Sequence, residues 1–406
     1  MNSMNSMKFQ FTWLAVALLC GAHLCAQAVT PLAPQGDDEV LEVLPTITRN
    51  RPAPAQRAAH LPTASRPDPA SAIRQARADI ALARQTGETR HWGRAQAVLA
   101  PWWDHADAPP DLAVLQATVQ QGRHEFEAAR RVLEAALARE PGHAQGWLNL
   151  AALERLSARY AQSWAACDAV ARAGQAFYAQ ACRFETVSLQ GRHDEAASGQ
   201  QRLIAQATDV GQRSWLWSLL AECRERAGQD SAAALAYRTS LALEPDLYTA
   251  IAHADLLLRQ GDATNALATL ATLPETDAVL IRRGAAWRRQ GDSRWTGVSA
   301  VLAERNAELR RRGDDPTLHG RELALAALWL TDDAKQALAL ARQNLLLQRE
   351  PFDWWLALQS ALRARDSAAV ADISAQIRVA GLRDARLGIA APTTTTRSAG
   401  RTREAT

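Results

Sequence analysis

The sequence predicts an all-α protein, a superhelical solenoid of antiparallel helix pairs with about eight or nine units. Three observations predict it. Gln121-Gly122-Arg123, Gln190-Gly191-Arg192, Gln260-Gly261-Asp262 and Gln290-Gly291-Asp292 repeat one motif, and Ala227-Gly228-Gln229 is a looser copy. Their spacings of 69, 37, 33 and 30 residues give a period near 34 with one copy skipped, expected near Ser157. Glu140-Pro141, Glu244-Pro245 and Glu350-Pro351 each close an apolar run, 104 and 106 residues apart, or about three periods. No alternating Val/Ile/Thr-rich segment asks for a strand. Each glycine is expected in the left-handed conformation that ends one helix before a tight turn, and each proline ends the second helix of a pair.

The chain opens with a targeting segment. Lys8 supplies a weakly positive start, Phe9 to Leu19 is apolar, and Ala26-Gln27-Ala28 is a small-residue cleavage site, so residues 1–28 read as a signal peptide cut after Ala28. Met1, Met4 and Met7 are competing starts. Cys20 and Cys25 are alternative lipidation sites, but Leu19 and Leu24 precede them where small residues belong. An uncleaved anchor is the other alternative. No later run is long enough for a transmembrane helix. The predicted location is therefore periplasmic or secreted, an oxidising compartment. Residues 29–69 carry Pro31, Pro34, Pro45, Pro52, Pro54, Pro62, Pro67 and Pro69 among arginines, and read as a disordered linker. Within it Val40 to Leu44 is an apolar island that either stays solvated or docks on the solenoid or a partner.

Residues 70–387 are the solenoid. Leu112 to Gln120 pairs with Phe126 to Arg139, and Trp147 to Leu156 pairs with Ala161 to Arg172. The units near Ala70, Leu267 and Trp295 are degenerate. The tail, 388–406, with its Thr393 to Thr396 run, reads as disordered.

The period and its punctuation resemble the tetratricopeptide repeat. Ala117, Ala129, Leu133, Ala136 and Pro141 fill the pattern in one unit, and Trp147, Leu150 and Ala151 in the next. Trp217, Leu220, Ala221, Ala233, Tyr237, Ser240 and Pro245 fill it in another, and Trp355 and Ala371 in the last. Small residues let helices approach while the large ring fills the space opposite. The resemblance implies a right-handed superhelix, a concave groove lined by the first helix of each unit, and protein or peptide binding. Its register places Gln145, Arg155, Arg183, Gln190, Glu222, Glu225, Arg259, Arg288 and Arg363 in that groove. Arginine predominates, which suits an acidic or C-terminal peptide. The alternative is a solvated face, since Lys8 and Lys335 are the only lysines and arginine use follows a GC-rich codon pattern. The lysine/asparagine clamp of the family's chaperone-binding members is absent.

Trp92, Trp102, Trp103, Trp215, Trp295, Trp329 and Trp354 fall outside the register. They are core or inter-repeat packing, or exposed anchors; Trp102 and Trp103, in a turn, are the candidate anchors. Cys167 and Cys182 each lie seven or eight residues from the turn near Gly174, at similar height on facing helices. They form either a disulfide clamping two repeats or two buried thiols, with Cys223 single.

The chain carries no phosphate loop, dinucleotide fingerprint, zinc-helix motif or nucleophile elbow. His91, His105, His124, His143, His193, His253 and His319 are not spaced as metal ligands. Asp314-Asp315 and Asp332-Asp333 fit helix starts. No cofactor is implied, and a net charge of +3 gives no reason to expect nucleic acid. The expected function is non-enzymatic: a periplasmic scaffold or adaptor for a protein or peptide partner of the cell envelope. The second reading is the periplasmic part of a polysaccharide or protein export system working with a separate outer-membrane channel.

Overall fold

The computed structural model describes residues 68–311 and 316–388. The signal peptide, Cys20, Cys25, the linker up to residue 67 with its Val40–Leu44 island and the tail beyond 388 lie outside the described residues, while Asp68 and Pro69 already belong to the start of the first helix. Helices pair in chain order. The first two pairs are α1 (Pro69–Thr86) with α2 (Thr89–Leu99), and α3 (Pro110–Gly122) with α4 (Phe126–Arg139). Then come α5 (Ala144–Leu156) with α6 (Tyr160–Arg172), and α7 (Ala176–Leu189) with α8 (His193–Gln206). Next are α9 (Val210–Arg226) with α10 (Asp230–Leu243), and α11 (Leu247–Arg259) with α12 (Ala263–Leu270). The last three are α13 (Asp277–Arg289) with α14 (Trp295–Arg311), α15 (Gly320–Ala326) with α16 (Ala334–Leu347), and α17 (Pro351–Arg363) with α18 (Ser367–Ala380). A π-helical turn, Ala327–Thr331, extends α15. That makes nine pairs and no strand among the described residues.

Local chemistry explains the starts and stops. Asp68 caps α1 by accepting from the backbone of Ala70 and Ser71, with Pro69 at the first helical position. Asp209, Asp246, Asp262, Thr276, Asp333 and Asp366 cap later helices in the same way. One left-handed residue marks the turn inside each pair: Gly87, His124, Ala158, Gly191, Gly228, Gly261, Gly291, Asp332 and Arg365. The spacing runs from 30 residues (261 to 291) to 41 (291 to 332). Repeat length, pairing and stacking are those of a tetratricopeptide-like solenoid.

The skipped copy expected near Ser157 is Ala158, at φ 57°. Two sequence expectations are corrected. Gly122 is not the left-handed residue of its unit; it ends α3 in helical geometry and His124 takes φ 63°. Gly122 is required by close approach instead, because a Cβ there would stand 2.4 Å from the Trp92 ring. The last unit is out by one: Trp354 is the residue that stands eleven before its turn residue (354 to 365), as Trp147 (to 158) and Trp217 (to 228) do. Trp355 is half-buried and Ala371 is exposed.

The core follows the small-and-large pattern. Ala117, Ala129, Ala151, Ala221 and Ala233 are fully buried, with Leu133 and Tyr237 packed beside them. Packing also runs across the superhelix. Gly87 of the first pair meets Thr276 and Leu247. The His124 imidazole Nδ1 lies 2.5 Å from the Leu318 carbonyl. The Arg349 amide donates to the Leu156 carbonyl at 2.7 Å and the Arg383 amide to that of Leu189 at 2.9 Å. Tyr160 and Leu189 join the same apolar cluster as residues of α11 through α18. The solenoid thus closes on itself, and its C-terminal pairs cover concave surface that a straight repeat array would leave open.

One buried group sets a pH dependence. His253 on α11 is 5% exposed, lies 5.8 Å from the Tyr237 ring, and neither ring nitrogen has a hydrogen-bond partner. Burial, reinforced by Arg238, pushes its pKa down to about 4. The folded chain therefore holds it neutral, while an unfolded chain protonates it below about 6.5. Stability from this group is complete above pH ~6.5 and is lost as pH falls toward ~4, by about 3 kcal/mol in all. In urea titrations the stability difference between His253→Phe and the native chain should shift by that amount in the variant's favour across this window. A difference constant with pH would refute the assignment.

Candidate functional site

The first helices of seven consecutive pairs, α5 through α17, turn one end of their inner faces toward a common interior chamber of about 300 Å³. Its wall is charged, and the charges are largely matched in pairs. Arg155 of α5 meets Glu185 of α7 at 2.7 Å. Arg226, only 3% exposed, meets Glu222 at 3.2 Å one turn back along α9, and its Nε donates to Ser188. Arg282 of α13 donates twice to Asp255 of α11, both bonds at 2.7 Å. Arg321 of α15 reaches Asp353 at 2.7 Å and Glu350 at 2.5 Å. Planar guanidinium forks suit such two-point contacts. Two tyrosines join the pattern: the Tyr237 hydroxyl donates to Glu225 and that of Tyr248 to Glu222, each at 2.9 Å.

The chain also supplies an occupant. After α18 the backbone turns inward, and the 3-10 turn Ala385–Leu387 lies against α9. Arg386 is carried into the chamber wall, 3.1 Å from Glu225 and 2.5 Å from Asp384. Beyond the chamber, across the shared residues Arg155, Glu185, Glu222 and Tyr248, the inner surface opens into a depression of about 650 Å³ over α5, α7, α9 and α11. Its floor includes Cys182, which is joined to Cys167 in a disulfide with Cα atoms 5.6 Å apart. Cys223 is free and buried.

The expected groove residues separate. Arg155, Glu222 and Glu225 line the chamber. Arg183, Arg259 and Arg288 do not. Arg183 pairs with Asp168 and lies 6.0 Å over Trp164. Arg259 is held by Asp230 at 2.7 Å and Glu225 at 3.3 Å. Arg288 donates to the Trp329 carbonyl and lies 5.3 Å over Trp295. Of the other mapped positions, Gln145 lines the depression, and Arg363 donates to the Leu328 carbonyl. The mapped arginines are thus engaged by carboxylates and carbonyls of neighbouring repeats. The anchor reading of Trp102 and Trp103 is corrected. Trp102 is 3% exposed, Trp103 is half-buried, and both pack on the cluster of α1, α2 and α3. Gln116 grips Asp104 through two hydrogen bonds and holds that turn down.

The accessible aromatic groups are others. Tyr178, Trp215 and Tyr248 line the depression, with Trp215 37% and Tyr248 58% exposed. Sequence register missed the two tyrosines; Trp215 stood among the tryptophans outside the pattern. No cluster of His, Cys, Asp and Glu among the described residues could hold a metal ion. No described helix is long and apolar enough to cross a membrane.

No family model matches the sequence, and no curated protein matches it. Solved structures resemble it at low identity. A Rap protein complexed with competence and sporulation factor is 9% identical over 76% of this chain and 84% of its own, with a TM-score of 0.49. PilF of Pseudomonas aeruginosa is 15% identical over 67% and 99%, at 0.34. The P58(IPK) TPR domain is 12% identical over 77% and 97%, at 0.21.

Proposed function

We propose that this tetratricopeptide-like solenoid is an exported, non-catalytic scaffold that holds an extended segment of a protein partner against α5, α7, α9 and α11. One observation carries the reading. The C-terminal segment places Arg386 in the chamber wall, and the neighbouring depression presents Trp215 and Tyr248 to solvent with Tyr178 half-buried beside them. Large aromatic side chains, semi-rigid and partly apolar, dominate binding surfaces. Export to the periplasm or beyond is supported by the N-terminal segment with its small-residue cleavage site and by the Cys167–Cys182 disulfide, a bond that persists in oxidising compartments.

The test is site-specific photo-crosslinking in the producing cell's envelope. A photoreactive phenylalanine analogue at Trp215 should trap a discrete partner. The same group at Leu235, 58% exposed on α10, should not. Trapping only from Leu235 would place the interface on the outer helices and overturn the proposal. Mass spectrometry of the same exported, unreduced protein should show a chain beginning at Val29 with one free thiol. A retained N-terminus or three free thiols would overturn the export reading.

A further inference from the structure

The proposed scaffold leaves the chemistry of its occupant open, and the depression constrains it. Its charged lining is Glu185, Glu222, Glu244 and Asp246 against Arg155 alone. Arg155 is already committed to Glu185 at 2.7 Å. Glu244 is exposed and makes no ion pair with any described residue. The Trp215 and Tyr178 rings stand 6.0 Å apart in the same lining, and the Tyr248 hydroxyl donates to Glu222. Carboxylates interleaved with accessible aromatic faces suit cations twice over, by charge and by the negative face of the ring.

The chain itself shows how such a surface is filled. The segment from Leu382 to Leu387 lies along the ends of α7 and α9, with the Arg383 amide on the Leu189 carbonyl. Its Arg386 sits on Glu225, a carboxylate that also accepts the Tyr237 hydroxyl. One turn earlier on α9, Glu222 carries the Tyr248 hydroxyl in the same manner, but Tyr248 and the space before it are open. Burial, with Glu185 adding like charge against the pull of Arg226, holds the Glu222 carboxyl above its usual range. An arriving cation relieves that.

We propose that the depression over α5, α7, α9 and α11 takes a basic, extended peptide segment, whose arginine or lysine side chains sit between the carboxylates Glu185, Glu222 and Glu244 and the rings of Tyr178, Trp215 and Tyr248. This rests on the scaffold reading above and adds the class of partner. Glu185 is paired with Arg155, Glu222 with Arg226, and Asp246 caps α11, so an acidic segment would meet the unpaired Glu244 and no uncommitted arginine in that lining.

Fluorescence anisotropy with the full mature chain tests it. The probes are labelled octapeptides alternating glycine with arginine, with glutamate or with leucine. The arginine peptide should bind, and the glutamate peptide should not. Glu244→Gln and Trp215→Ala should each weaken the arginine peptide about tenfold. Glu134→Gln, at an exposed position on α4, should leave binding unchanged. Both Glu244 and Trp215 are accessible, so the variants should melt close to the native chain. If the glutamate or leucine peptide binds in a Trp215-dependent way and the arginine peptide does not, the scaffold reading stands and the basic occupant is wrong. Arginine-peptide binding that ignores Glu244→Gln and Trp215→Ala, or that falls equally with Glu134→Gln, also overturns the basic occupant. If no peptide responds to Trp215→Ala, both readings fall.

Discussion

Trp354→Ala should lower the unfolding free energy by about 3–5 kcal/mol, because it deletes the largest fully buried side chain of the chain's main apolar cluster. Trp354 is 2% exposed and lies on α17, near the end of the solenoid, where the final pairs pack back on the middle of the chain. The cavity would open in a cluster that also holds Tyr160, Leu189, Ile281 and Leu325. Those residues come from α6, α7, α13 and α15, so the variant should loosen closure as well as the last pair. Denaturant unfolding measures the loss. Hydrogen exchange should show new opening in α6 and α7 as well as in α17. Faster exchange confined to α17 and α18 would mean that the superhelical closure does not depend on this cluster. Trp355→Ala is the paired control. That ring is half-buried, against Phe352 at 5.2 Å, and its removal should cost less.

Asp353→Ala is expected to cost about 3–5 kcal/mol by a different mechanism, the stranding of a buried charge. The Asp353 side chain is fully buried. It accepts two bonds from Arg321, at 2.7 and 2.8 Å, one from Asn344 at 2.7 Å, and one from the Glu350 amide at 2.9 Å. Burial pushes its carboxyl up and Arg321 draws it back down, with burial the larger influence. Removing the carboxylate leaves the guanidinium with Glu350 alone and strips the start of α17 of its reciprocal cap. The double variant Asp353→Leu with Arg321→Met should recover much of the loss, since neither charge then remains buried. A double variant no more stable than Asp353→Ala would show that the cost lies in the cap and not in the ion pair.

These two residues also show how far the sequence reaches. Trp354 was readable as a large apolar residue on a helix, yet pattern alone preferred Trp355. Both neighbours are tryptophan, and a helix start displaced by one residue exchanges their roles. Asp353 was invisible as a core residue, because its partner Arg321 is 32 positions away on the preceding first helix. The candidate site divides in the same way. Arg155, Glu222 and Glu225 line the chamber because the repeat register fixes which helix face looks inward. Arg183, Arg259 and Arg288 share that register but are drawn aside by Asp168, Asp230 and the Trp329 carbonyl. Tyr178 and Tyr248 matched no expected groove position, and only the packed helices show them facing the same depression.

The sequence by itself determined the helix pairs and their turns, since caps, left-handed residues and helix-stopping prolines act within a few residues of where they stand. It determined the small residues at helix contacts, because spacing along a helix sets which side chains meet the neighbour. Only the tertiary structure decided the sign of the inner surface and how much of it stays open. Several of the pairs that neutralise the arginines join first helices of adjacent units, as in Arg155 with Glu185 and Arg282 with Asp255. The contact of Arg386 with Glu225 spans four units. Such distances are set by the stacking angle accumulated over many repeats. No single residue encodes that angle, so the contact of Arg386 with Glu225 and the aromatic depression beside it are visible only in the folded chain.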